Sequence, residues 1–177
     1  MVKLLVASVL CSSLVIATSS FAHEKDLSHR IFVSYESNGA DYLSSIGVGT
    51  TFKDSESNVG VQVNSSLGRA EVMATDGFIE EFTVWDVSAR FGYFSNVSFF
   101  IEGGIDLTEA IFHDIRYDDY HDEHDDVSDV DAFIGVGAGI SLGALQFEGF
   151  FRVREIDSEF WEAESETFSG IQVSVNF

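Results

Sequence analysis

Eight times along this chain the side chains alternate with a period of two, and no proline interrupts any of the eight runs. A period of two places successive side chains on opposite faces of an extended strand. Ile31, Val33 and Tyr35 alternate with Arg30, Phe32, Ser34 and Glu36; Tyr42, Ile46, Val48 and Phe52 alternate with Ser45, Gly47, Gly49 and Thr51. Val59, Val61, Val63 and Leu67 begin the third run, and Thr83 to Tyr93 form the fourth. The second half repeats the scheme at Val97–Thr108, Ala132–Leu142, Leu145–Arg154 and Thr167–Phe177. Each run has about ten residues, the length a tilted strand needs to cross a bilayer. No segment carries a helical apolar stripe. The absence of proline suits strands whose every N–H is needed in a ladder.

The connections between runs alternate in length. Lys53–Glu56, Phe94–Asn96 and Gly143 are short. Gly68–Ile79, Glu109–Asp129 and Asp157–Glu164 are longer and acidic, and Asn38–Asp41 lies on their side. Short turns on one rim and long loops on the other predict an up-and-down antiparallel barrel with periplasmic turns and extracellular loops. An even strand number puts both chain ends on the turn side.

The first 22 residues stand apart. Lys3 precedes the apolar stretch Leu4–Ile16, and Ser20-Phe21-Ala22 ends it with small residues where a signal peptidase reads. This predicts a secretory signal cleaved after Ala22 and a barrel domain over residues 23–177. The apolar stretch is too short for a membrane anchor, and Leu10 before Cys11 does not suit a lipoprotein site. Cys11 is the only cysteine, so the exported domain is expected to hold together without disulfides. Without Lys3 it carries 8 basic and 30 acidic residues, a formal −22. Such a charge excludes nucleic acid as a partner, because phosphates are repelled.

Two barrels fit the alternation. In a soluble lipocalin-like barrel the apolar face turns inward around a ligand. In a membrane barrel it turns outward. The other face carries Arg30, Glu36, Asp86, Arg90, Glu102, Asp106, Glu148, Arg152 and Arg154. Exposed to lipid, each arginine near the midplane would cost about 2–4 kcal/mol; turned inward, these groups can pair. Arg90 and Glu102, counted outward from the Phe94–Asn96 turn, fall opposite or diagonal on neighbouring strands. The aromatic residues fall at two levels of the apolar face: Tyr35 and Tyr42 toward the loops, and Phe52, Phe91, Tyr93, Phe99, Phe147 and Phe177 toward the turns. Such girdles anchor a barrel at the headgroups. The expected fold is therefore an all-β, eight-stranded transmembrane barrel with a polar interior filled by side chains.

The last residues, Ile171-Gln172-Val173-Ser174-Val175-Asn176-Phe177, resemble the C-terminal signature strand of bacterial outer-membrane proteins, with Ile171, Val173, Val175 and the terminal Phe177 on one face. The whole exported chain resembles the small eight-stranded class that includes the OmpA transmembrane domain and OmpX. The resemblance implies recognition by the barrel-assembly machinery, a monomer, and a place among outer-membrane lipid and lipopolysaccharide.

Candidate chemistry gathers in the longest loop, at His113, Asp114, Asp118, Asp119, His121, Asp122, Glu123, His124, Asp125 and Asp126. Imidazoles and carboxylates suit transition metals, and carboxylates alone suit Ca²⁺ or Mg²⁺. The spacing matches neither an EF-hand nor the helical zinc-protease pattern. The bland expectation is a solvated acidic loop, with bridging of its carboxylates to lipopolysaccharide phosphates by divalent cations as the functional version. No resident cofactor and no catalysis are expected. An enzyme acting on lipid A is the runner-up, but Ser28-His29 lacks the spacing of a deacylase pair and lies on the turn side. A converging His113, Asp114 and Ser158 is the other arrangement open to an enzyme.

Overall fold

The computed structural model describes residues 25–73, 79–108, 131–158 and 161–177. Each period-two run forms a strand: β1 (Lys25–Ser37), β2 (Tyr42–Asp54), β3 (Val59–Met73), β4 (Ile79–Phe94), β5 (Val97–Asp106), β6 (Ala132–Leu142), β7 (Leu145–Ser158) and β8 (Trp161–Asn176). Sequence neighbours pair antiparallel, and β8 pairs with β1 to close the barrel. Closure removes both sheet edges over the paired length, which is what backbone N–H and C=O groups require inside hydrocarbon.

The register fixes the barrel's size. A path perpendicular to the strands leaves Leu27, crosses Phe52, Val61, Phe91, Ile101, Val136, Phe151 and Ser169, and returns to β1 at Ser37, ten residues further on. Eight strands with that stagger tilt by roughly 40–45° and close at a radius of about 8 Å, so the lumen has room for side chains and little else.

The turn rim is tight. Gly143 takes φ 67° between β6 and β7, and Asn58 takes φ 57° after β2 while donating its N–H to Asp54 O at 2.9 Å. Both lie in the left-handed region, which Gly occupies freely and Asn tolerates.

Side-chain direction decides between the two barrels. Ile46, Ile101, Ile134, Phe151 and Ile171 point outward and are each at least 60% exposed, while Arg30 and Arg90 are 1% exposed in the lumen. The lipocalin-like alternative required the reverse and is contradicted. The outward apolar band reaches from Val59 to Leu67 on β3 and from Val97 to Ile105 on β5. At the strand tilt it stands roughly 20 Å tall, close to the apolar band of outer-membrane barrels. Tyr35 and Tyr42 stack at its loop-side limit, 6.1 Å apart, and Tyr93 faces Phe99 at its turn-side limit. Trp85 donates its indole N–H to Ser65 Oγ at 3.0 Å, satisfying a polar group on the outward face.

Two expected loops are largely strand. The sequence pattern places Gly68–Ile79 and Asp157–Glu164 in connections. Instead β3 continues to Met73 and β4 starts at Ile79, while β7 continues to Ser158 and β8 starts at Trp161. For β3 and β4 the reason is an inversion of polarity. Above Leu67 and Trp85 the outward residues are Arg69, Glu71, Glu81 and Thr83, and the inward ones are Ala70, Val72, Phe82 and Val84. The strand period is unbroken; only the solvent on the outer face changes, from lipid to water. Outward Arg69 pairs there with Glu81 and lies 4.0 Å from Glu71. Glu71 lies directly opposite Tyr42 on β2.

Candidate functional site

The inward faces of β1, β4, β5 and β7 supply eight charged side chains that join into one string. Arg30 pairs with Glu148 at 2.9 Å and Glu148 with Arg90 at 2.9 Å; Arg90 pairs with Glu102 at 2.9 Å and Glu102 with Arg152 at 2.9 Å. Arg152 then pairs with Glu36 at 3.1 Å, Glu36 with Arg154 at 3.0 Å, and Arg154 with Asp86 at 2.7 Å. Positive and negative groups alternate from the turn end to the loop end. Four arginines meet four carboxylates, so the string is formally neutral. Of the seven pairs only Arg90–Glu102 joins residues directly opposite on adjacent strands. The others reach across the lumen or skip a strand, so they tie distant walls together.

Buried ions need their remaining donors and acceptors filled. Gln172 and Gln146 donate to Glu148, Asn64 Oδ1 accepts from Arg30 at 2.9 Å, and Ser88 donates to Glu102 at 2.9 Å. Aromatic faces cover the guanidinium groups: Phe100 lies 4.2 Å from Arg90, Phe150 4.2 Å from Arg152, and Phe133 4.5 Å from Arg154. Arg30 Nε, Arg154 Nε and Ser174 Oγ have no protein partner. Around Ser34, Asn64, Asp86 and Arg152 there is room for roughly one water molecule. This part of the lumen is filled.

Inward glycines make that filling possible. Phe32 faces Gly47, Phe133 faces Gly104, Phe100 faces Gly137 and Phe150 faces Gly170. A Cβ on any of these glycines would overlap the ring opposite. The β6 wall, with Gly135, Gly137 and Gly139 inward, is nearly bare and receives Arg152, Phe100 and Glu148 from its neighbours.

Eight of the nine expected interior charges come together. Asp106 departs from that grouping. It ends β5 where the ladder to β4 stops, and its Oδ1 accepts from Trp85 N–H at 3.2 Å, Thr108 N–H at 2.8 Å and Thr108 Oγ at 2.6 Å. Local backbone donors claim it. The amides Gln62, Asn64, Gln146 and Gln172 share the inward parity of the charged residues, and the structure adds them to the network as its neutral donors and acceptors.

At the C-terminus, Ile171, Val173 and Val175 face outward, and Phe177 exchanges two 2.9 Å backbone hydrogen bonds with His29. Its ring lies 6.1 Å from the His29 ring. Phe177 therefore belongs to the β8–β1 seam, whereas Tyr93 and Phe99 share only its rim. His29 also meets Thr50 Oγ at 3.0 Å through Nδ1. The signal segment 1–22 and the ligand candidates His113, Asp114, Asp118, Asp119, His121, Asp122, Glu123, His124, Asp125 and Asp126 lie outside the described residues. Among the described residues no three metal-ligating side chains gather.

No family model and no curated protein matches the chain. Among solved structures it is similar to the N-terminal β-barrel domain of Pseudomonas aeruginosa OprF, at 13% identity and TM-score 0.50 over 87% of this chain and all of that one. A de novo designed transmembrane β-barrel matches at 10% identity and TM-score 0.46, over 85% of this chain and 94% of the design. The OprF likeness is one of fold alone, a β-barrel domain.

Proposed function

We propose that this chain is a small outer-membrane protein with a structural or surface-interaction role, exported by residues 1–22 and assembled as a monomer by the barrel machinery. One observation carries the reading. An outward apolar belt surrounds a lumen filled by a self-neutralising string of charges. The belt supports residence in a bilayer, and the filled lumen supports a wall element over a conduction path. Heat-modifiability of detergent-extracted membranes tests it. Expected is a compact band in unheated samples that shifts on boiling, confined to the outer-membrane fraction. A soluble periplasmic protein without that shift would sink the reading.

The surface role draws on the acidic rim. Beyond the belt, Glu71 and Glu81 face outward and the nearby Arg69 is held by both. Like-charged lipopolysaccharide phosphates would be repelled unless divalent cations bridge them, and the acidic loop at His113–Asp126 adds carboxylates for the same bridging. Co-purified lipopolysaccharide should fall when membranes are washed with EDTA and return with Mg²⁺. Retention independent of divalent cations would remove the bridge from the proposal.

A further inference from the structure

The β1–β2 connection turns on the loop side through an exposed corner at Asn38 and Gly39. Of the five asparagines in the chain, Asn38 alone precedes glycine. With no side chain, glycine leaves its backbone nitrogen unshielded, and Gly39 takes φ 105°, a conformation open to glycine. A Cβ at Gly39 would meet nothing within 4 Å, so the corner is open to water and has space for a small ring to close.

The hydrogen bonds of the corner converge on the Asn38 amide. Its Oδ1 accepts from Ala40 N–H at 3.0 Å and from Asp41 N–H at 2.7 Å. Paired backbone donors on a carbonyl oxygen stabilise the charge that grows there when its carbon is attacked. Gly39 N–H donates to Ser37 Oγ at 3.0 Å, and Ser37 Oγ gives its own proton to Asp41 O at 2.7 Å. Ser37 therefore stands as an acceptor for the Gly39 proton. Asn38 Nδ2 donates to two carboxylates, to Asp41 Oδ2 at 2.7 Å and to Glu166 on β8. Asp41 Oδ1 in turn accepts from Met73 N–H at 2.8 Å, at the end of β3. One neutral amide thus ties the turn to β8 and holds the carboxylate that ties it to β3.

We propose that Asn38 is a site of spontaneous deamidation whose conversion unlatches this turn. Gly39 N attacks Asn38 Cγ, the Cγ–Nδ2 bond breaks, and the Gly39 proton leaves with the nitrogen as ammonia. The cyclic imide then takes up one water at either carbonyl and opens to aspartate or isoaspartate. The product sets a third carboxylate against Asp41 and Glu166 where there was a donor, and repulsion replaces the bridge. The site goes beyond the structural and surface role, and it uses neither the interior charge string nor the acidic loop.

The test incubates the full-length mature barrel in lipid nanodiscs at mildly alkaline pH and follows it by peptide mapping, with enzymatic labelling of isoaspartate. Expected is conversion at Asn38 several-fold faster than at Asn58, Asn64, Asn96 or Asn176, and no slower in the folded barrel than in the same chain unfolded in urea. Ser37→Ala should slow the folded rate several-fold and leave the unfolded rate unchanged. Asn38→Asp supplies one product directly, and amide hydrogen exchange at Met73 should then quicken several-fold while that at Phe177 stays the same. An Asn38 that persists in the folded barrel while the unfolded chain converts would overturn the site, because the turn then shields the amide. Unchanged Met73 exchange in Asn38→Asp would overturn the latch, and an unchanged folded rate in Ser37→Ala would overturn the role given to Ser37. None of these outcomes alters the heat-modifiability result.

Discussion

Glu148 shows how much one residue contributes in a filled lumen. Its Oε2 accepts from Arg30 and Arg90 at 2.9 Å each and from Gln172 at 2.8 Å, and its Oε1 accepts from Gln146 at 2.9 Å. Arg90 keeps Glu102 if Glu148 is lost, but Arg30 keeps only Asn64. Glu148→Ala should therefore destabilise the barrel by about 3–5 kcal/mol, the range for stranding a buried charge. Lys53→Ala, which removes a half-buried rim ammonium 4.0 Å from Asp26 together with its long contacts to Asn58 Oδ1 at 3.4 Å and Phe94 O at 3.5 Å, should cost no more than about 1 kcal/mol. Reversible urea unfolding in lipid vesicles, followed by tryptophan fluorescence, compares them; equal losses would mean the string is idle. A second residue-scale prediction concerns space. Gly104→Ala pushes a methyl into the Phe133 ring and should cost about 1–3 kcal/mol. Adding Phe133→Leu should recover part of that loss, so the double variant is more stable than the summed singles predict. The charged members of the string were legible from residue type and parity. Their partners were not, because six of the seven pairs span strands that the sequence does not place together.

Within an element, the informative feature is where the polarity of a strand inverts. On β3 and β4 the parity of inward and outward residues never slips, yet the outer face changes from Val63 and Leu67 to Arg69 and Glu71. With apolar residues required on one fixed parity, these strands end early. A reading that allowed the two faces to exchange character would have carried them on to Met73 and Ile79. The inversion marks a boundary that mutation can locate. Val63→Arg, inside the belt, should cost about 2–4 kcal/mol, whereas Thr83→Arg, beyond it, should cost about 0–1 kcal/mol. Both are read by the same vesicle unfolding. Similar costs at the two positions would place the lipid boundary elsewhere.

For the whole molecule, the decisive event is closure of β8 on β1. Phe177 N–H donates to His29 O and Phe177 O accepts from His29 N–H, both at 2.9 Å. Deleting Phe177 removes two seam hydrogen bonds together with the ring, while Phe177→Ala removes the ring alone. If the ring acts as an assembly signal, both variants should accumulate heat-shifted protein slowly in cells. If the seam bonds matter more, Phe177→Ala should assemble normally and only the deletion should lag. Pulse-labelled folding assays separate these cases. The barrel that results is stapled internally: β7 reaches Glu36 on β1, Asp86 on β4 and Glu102 on β5 through Arg152 and Arg154. Such cross-lumen ties supply rigidity where lipid on the outside gives the apolar belt no tight partner.

The sequence by itself determined the strand number, the antiparallel order and which parity faces inward, because a period of two is a local property of an extended chain. It also exposed the terminal aromatic strand and the charged residues that need burial. Tertiary structure alone decided the stagger of ten residues, since register accumulates around the barrel and no single hairpin fixes it. It decided that Asp106 serves nearby backbone donors, and that Phe–Gly pairs make room for the charges. It decided too that the upper strands carry their own apolar cluster. These depend on which side chains share a cross-section of the lumen, and the cross-section exists only once the sheet has closed.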